Sequence, residues 1–254
     1  VQYRELNAVP LFQTKAYCFN MTRPPVDNLF VRKAISASVN RQLIAYVVMK
    51  GVSVETYTPD IFLAPAEAEE ILGIPFSPIR ARKWLAEAGY PKSFPEVCIQ
   101  ATGDTRLPQA IKESVEHSLD GIVITFDKFD DEPADKDKKK ADSAGKLPHL
   151  FMCDWWAEYP DANNFLYDAF HPTNYPLWEN AAFTGMIENA QSHPEFKERK
   201  LLYKKAEQIL SHEEVVILPV CRDQTHYLVK SRVQGWYPMA FGGQHIRNWH
   251  FKEQ

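Results

Sequence analysis

Residues 96–126 read EVCIQATGDTRLPQAIKESVEHSLDGIVITF, and this stretch decides the fold class. Glu96–Ala101 alternates as a strand, and Leu107–Leu119 carries apolar residues at helical spacing. The turn Asp120-Gly121 then opens a β-branched run, Ile122–Phe126. Two strands joined by a helical crossover of this length must lie parallel, and the crossover is right-handed. The chain is therefore expected to be α/β.

Upstream, Ser77 sits as an N-cap before Pro78 at the first helical position, and Gly89 lies just past the end, so both termini of a helix are marked. Its apolar residues are Ile79, Trp84, Leu85 and Ala88. Further upstream, VRKAISAS places Val31, Ala34, Ile35 and Ser38 on one helical face. Asn40 then restarts the helix, and Leu43, Ile44, Val47 and Val48 form an expected core-facing stripe that Gly51 ends. Residues 52–76 carry several prolines and no regular period, and are expected to be an irregular connection with one short helix at Ala66–Leu72. Downstream, residues 127–146 are dense in charges of both signs and read as a solvated loop. They lack the glycine and spacing of an EF-hand. Phe196–Leu210 is a helix with Leu202, Ala206, Ile209 and Leu210 on one face, and Val215–Val220 is a buried strand.

Between these elements lies the stretch richest in chemistry, DWWAEYPDANNFL at residues 154–166, directly after the apolar run His149–Cys153. Two tryptophans, a tyrosine and three carboxylates follow a strand's end, where α/β folds hold their ligands. Rings of this kind wall a planar or apolar group while a carboxylate holds a cation such as an ammonium. The same rings also suit a core.

With 254 residues, 45% of them hydrophobic, 24% charged and a net charge of −4, the chain can bury a sizeable core and has no electrostatic pull toward nucleic acid. No apolar run is long enough to cross a bilayer, and VQYRELNAVP has neither the basic head nor the apolar stretch of a signal peptide. Cys18, Cys98, Cys153 and Cys221 form no CxxC pair. Cys98 and Cys153 fall on strands that could be neighbours, and the sequence does not settle whether they bond. His212-Glu213-Glu214 lacks the second histidine of a zinc-protease helix. No glycine-rich phosphate loop, GxSxG elbow or GxGxxG is present. An enzyme is not expected, nor a cofactor or a metal, since His245 and His250 in an aromatic-rich tail read better as surface or packing residues.

The order of segments resembles one family, the extracytoplasmic solute-binding proteins of peptide-type ABC importers. VRKAISASVNRQLIAYVVMKG is similar to its "VR.AL..AIDR..I" helix pair, and PIRARKWLAEAGYP to its "A..LL.EAGYP" helix. GIVITFD resembles the following strand, and DWWAEYPDANNFL the "W.ADYPDP..FL" signature. ERKLLYKKAEQILSHEEVVILPV and VKSRVQGW resemble the closing segments. The resemblance implies a periplasmic-binding-protein type II-like lobe, a mixed, mostly parallel sheet flanked by helices. It places residues 15–219 in the C-terminal lobe of a two-lobed protein. Residues 1–14 and 220–254 would then be crossover segments returning to an absent N-terminal lobe, which would carry a signal or lipid anchor.

By the same resemblance, Glu158 stands where the family's acidic residue receives a peptide's α-ammonium, Trp155 is the signature tryptophan, and Tyr159 a wall or support. Asp154, Trp156 and Met152 complete the expected ligand-binding set. Some members carry an arginine shortly before the signature, where this chain has Phe151, Met152 and Cys153. The implied partners are a peptide or other small solute, the transmembrane subunits of a permease, and the absent lobe, in a periplasmic or extracytoplasmic location. Other members take oligosaccharides, nickel complexes or haem, and Trp155, Trp156 and Trp178 could stack on sugar rings. A lone lobe would expose apolar surface at Trp236, Tyr237, Phe241 and Trp249, and could self-associate through it or act as a protein-interaction module.

Overall fold

A computed structural model of the chain describes residues 5–58, 73–91, 94–101, 103–127, 147–172, 177–240 and 242–252. Its centre is a sheet in the order β1 (Leu6–Pro10), β8 (Ile217–Leu228), β2 (Gln13–Phe19), β6 (Leu150–Met152), β4 (Val97–Gln100), β5 (Ile124–Asp127). The short strands β3 (Ser53–Glu55) and β7 (Trp155–Trp156) pair with β8 and β2. β4 pairs parallel with β5 in the register Val97↔Ile124 to Gln100↔Asp127, so the strand–helix–strand unit at 96–126 is present as expected. The sheet is mixed. Its parallel pairings are confined to β6, β4 and β5, whereas the pairings of β1, β2, β3, β6 and β7 with β2 or β8 are antiparallel. Antiparallel neighbours need no helical crossover, and the helices accordingly serve to cover the faces.

Alternation along β2 builds two cores. Tyr17 and Phe19 face one cluster, and Ala16 and Cys18 face the other, as the two-residue period of a strand requires. Over the first face lie α1 (Leu29–Ser38), α2 (Arg41–Leu43) with its π-helical continuation Ile44–Val48, α3 (Pro78–Glu87) and α4 (Arg106–Ser118). Over the second lie α5 (Ala162–Phe170), α6 (Ala181–Ser192) and α7 (Phe196–Gln208), the last running on as a π-turn, Ile209–Glu213. The result is three layers, helices on both faces of one sheet. A separate ribbon, β9 (Val233–Gln234) with β10 (His250–Phe251), follows the end of β8.

Several local expectations hold in detail. Ser77 Oγ accepts from the Arg80 amide with Pro78 at the helix start, and Gly89 has φ of 93°. Asn40 caps the restart, its side chain accepting from the Leu43 amide at 3.0 Å. The stripe after it needs correction: Leu43 and Val47 are exposed, and the buried positions are Arg41, Ile44, Ala45 and Met49. The Met49 amide donates to the Ile44 carbonyl at 2.9 Å, five residues back. This wider winding rotates the buried face away from the α-helical phase. Within 52–76, expected to be irregular, β3 forms a short strand on β8. The proposed helix Ala66–Leu72 lies outside the described residues, as does nearly all of the charged stretch 127–146. β8 begins at Ile217 and runs eight residues past the expected end at Val220, without a break at the 219/220 boundary. The four cysteines are free; Cys98 lies on β4, while Cys153 packs against the second core.

Arg41 shows how tightly the first core is tied. It is about 1% exposed, and its guanidinium donates to the carbonyls of Pro219 (2.6 Å), Ser36 (3.2 Å) and Ile74 (3.1 Å) beneath the Tyr57 ring. Burial without a carboxylate partner lowers its pKa to about 10, still far above neutrality.

Candidate functional site

Because β4 and β6 are parallel, their carboxyl ends reach the same edge of the sheet. β2 is antiparallel to β6, so its first residues meet them there. The signature segment leaves β6 at this edge and makes one more short pairing, Trp155↔Thr14 and Trp156↔Gln13. The Met152 amide donates to Gln100 Oε1 at 2.8 Å, and the Tyr17 hydroxyl donates to the Gln100 carbonyl at 3.2 Å, tying the ends of β2, β4 and β6 together.

The residues singled out in the sequence fall into two groups. Trp155, Glu158 and Tyr159 gather around the first turn of α5. Fully buried Asn164 accepts at its Oδ1 from Trp155 Nε1–H (3.0 Å) and from the Glu158 amide (3.0 Å), and its Nδ2 donates to Asp168 (2.9 Å). The Tyr159 hydroxyl donates to the same Asp168 oxygen at 2.7 Å and accepts from Asn163 at 2.7 Å. Burial, together with the Asp168 carboxylate it faces, holds the Tyr159 phenol above its usual range. Asp161 caps α5 and accepts from Arg199 at 2.6 Å, linking the segment to α7. Trp155 and Tyr159 are thereby fixed by their polar atoms, while the Glu158 side chain is exposed and Trp156 is 58% exposed. What this group offers is an exposed carboxylate on an anchored backbone, beside large rings.

The second group, Met152 and Asp154, lines a cavity of about 110 Å³ together with Lys15 and Tyr17 of β2, Met49, and Asp104, Leu107 and Pro108 at the start of α4. Glu158 and the tryptophans do not line it. Asp154 is part-buried and accepts from the Ala16 amide at 3.2 Å. Burial raises its pKa to about 6, against the opposing pull of that amide and of Lys15. Lys15 donates to Asp223 of β8 at 2.9 Å, and this pair holds the ammonium above its usual pKa although burial works the other way. Arg106 chelates Asp104, whose carboxyl falls to about 2.

Sequence reasoning missed Lys15, Asp104 and Asp223. The available signal was Lys15 itself, a charge inside the otherwise mostly apolar strand QTKAYCF. Among the described residues no group of three or more His, Cys, Asp or Glu side chains is placed to hold a metal, and no helix is long and apolar enough to cross a membrane. His245 and His250 lie exposed in the C-terminal tail.

Residues 2–176 match the model of the family described as bacterial extracellular solute-binding proteins, family 5 middle. The chain is 26% identical to heme-binding protein A of Haemophilus influenzae over 88% of its own length and 42% of that protein's. It is 25% identical to the glutathione-binding protein GsiB of Escherichia coli K12 over 82% of this chain and 42% of the relative. Among solved structures, a periplasmic oligopeptide-binding protein of Borrelia burgdorferi superimposes with a TM-score of 0.72 at 20% identity, over 98% of this chain and 50% of that one. The chain thus spans about half the length of the curated relatives it matches.

Proposed function

Because the chain belongs to family 5 of the bacterial extracellular solute-binding proteins, we propose that it is the C-terminal ligand-binding lobe of an ABC-importer substrate-binding protein, most consistent with a peptide ligand. In this reading residues 15–219 form the lobe, and residues 1–14 and 220–254 cross to a preceding lobe. The solute is captured between the two lobes and handed to a membrane permease. The relatives are binding proteins rather than enzymes, and binding here requires only complementary surfaces and a closure that the permease can read.

The observation that carries the reading is the Asn164 anchor. One buried amide fixes both the Trp155 ring and the Glu158 backbone, leaving the Glu158 carboxylate free at the surface to meet an ammonium group. The pairing of Leu6 with Leu228 supports the crossover, since it brings the entering and leaving strands side by side. Tyr237, Ile246 and Phe251 are exposed on the segment assigned to the other lobe, which would cover them.

The test is native mass spectrometry of the two-lobed protein as purified, beside Glu158→Gln. Peptide-sized adducts that the substitution depletes are expected. Haem, sugar or metal masses would replace the ligand class while leaving the family intact. Undiminished peptide adducts on Glu158→Gln would make Glu158 a bystander.

A further inference from the structure

We propose that the cavity beside Asp154 is a second subsite, one that takes an aliphatic ammonium group with its methylene stem. The proposal rests on the reading of this sheet edge as ligand-facing. Glu158 does not line the cavity, so its cation would be a different group from the one Glu158 meets.

The charges single out Asp154. Among the described residues, the cation that lines the cavity, Lys15, is held by Asp223 at 2.9 Å, and Arg106, next to the lining residue Leu107, is held by Asp104. Of these described groups, Asp104 and Asp223 are each matched by a cation, whereas Asp154 forms no ion pair with a described residue. An anion entering here would meet that unmatched carboxylate and find both cations already engaged. One Asp154 oxygen accepts from the Ala16 amide at 3.2 Å and the other accepts from no described residue, so the carboxylate keeps lone pairs for an incoming donor. An ammonium is a compact point donor that such a carboxylate satisfies. A metal ion would need further ligands of its own, and no suitable cluster exists among the described residues. Next to the carboxylate, Met49, Leu107, Pro108 and Met152 give an apolar wall to a short alkyl stem, the usual arrangement for a long cationic side chain whose stem is buried.

The chain has five methionines, and two of them, Met49 and Met152, line the cavity, so labelling the methionine methyls with ¹³C gives a reporter with internal controls. The protein is titrated with n-butylammonium, n-butanol and butyrate at constant ionic strength. The expected result is a saturable shift of the Met49 and Met152 methyls with n-butylammonium and none at Met186 or Met239. Butanol and butyrate should bind about tenfold more weakly or not at all, as a charge-assisted contact requires. Asp154→Asn keeps the acceptor for the Ala16 amide and removes the charge; it should abolish the shift while Met186 and Met239 keep their positions, which reports that the fold is intact. Two further probes name the source of the amine: 1,4-diaminobutane binding more tightly than Nα-acetyl-lysine methylamide points to a free amine, and the reverse to a lysine side chain. Equal response to butanol, preference for butyrate, an unchanged Asp154→Asn or no saturable shift each overturn the proposal. None of these reads the adducts used to test the overall function, so the two readings fail separately.

Discussion

Asn164→Ala removes, in one substitution, the anchor of the signature segment. Three hydrogen bonds disappear: from Trp155 Nε1–H, from the Glu158 amide, and to Asp168, all at 2.9–3.0 Å. At about 1 kcal/mol net for each, the loss is about 3 kcal/mol, and donors left unsatisfied in a buried site add to it. Asn164 is fully buried, so the shortened side chain also leaves a void, and the total should reach about 3–5 kcal/mol in urea unfolding at pH 7. Asn164→Asp separates the contributions, because it keeps the acceptor but turns a carboxylate toward Asp168. It should be close to wild type at acid pH, where the two can share a proton, and lose stability as pH rises. Hydrogen exchange of the Glu158 amide reports the anchor directly and should accelerate sharply in Asn164→Ala. A variant within about 0.5 kcal/mol of wild type, with Glu158 exchange unchanged, would refute the claim that this amide holds the segment.

Arg41→Met should cost about 3–5 kcal/mol by chemical denaturation, because it strands the carbonyls of Pro219, Ser36 and Ile74 in the core, and Arg41→Lys should recover only part of that. Asp154 has a folded pKa of about 6, above its unfolded value near 3.8. The folded state therefore binds the proton more tightly, and stability falls as pH rises from about 4 to 6; Asp154→Asn should flatten that slope and be more stable than wild type at pH 7 by about 1–3 kcal/mol. His149 acts in the opposite sense. Its Nδ1 accepts from the Cys98 amide at 2.9 Å, so Nε2 carries the hydrogen toward the Pro24 carbonyl, and burial lowers its pKa. The stability it contributes is present above its ordinary pKa of about 6.5 and declines as pH falls below it, a slope that His149→Gln should remove from the unfolding free energies.

Much of this architecture is legible in the sequence because local chemistry and global packing agree. Ser77, Pro78 and Gly89 delimit a helix by backbone demands alone, and the 96–126 unit is fixed by alternation, helical period and turn residues. The stripe at Leu43 and Val47 misled because periodicity assumes α-helical winding, and nothing in IAYVV announces the π-turn that rotates its buried face. β8 reads too short for a related reason: from Arg222 to His226 its residues are polar and lie half-exposed or exposed, since only its first half lies in the core and the rest is paired by backbone bonds to β1 and β3. At the site, the composition of 154–166 draws attention to the right segment. It cannot show that Trp155 and Tyr159 are anchored by Asn164 and Asp168 while Asp154 turns toward Lys15 and α4, because that division depends on contacts between residues far apart in sequence.

The pairing of Leu6 with Leu228 sets the first described strand and the end of β8 side by side as one two-stranded ribbon. In the lobe reading proposed above, the described elements from β2 to the first half of β8 make a unit whose two ends meet, the arrangement that tolerates insertion into a loop of another protein. A circular permutant that joins residue 228 to residue 6 by a tight turn, and opens at the exposed start of α6, should keep a cooperative melt, making the unit portable as an inserted cassette.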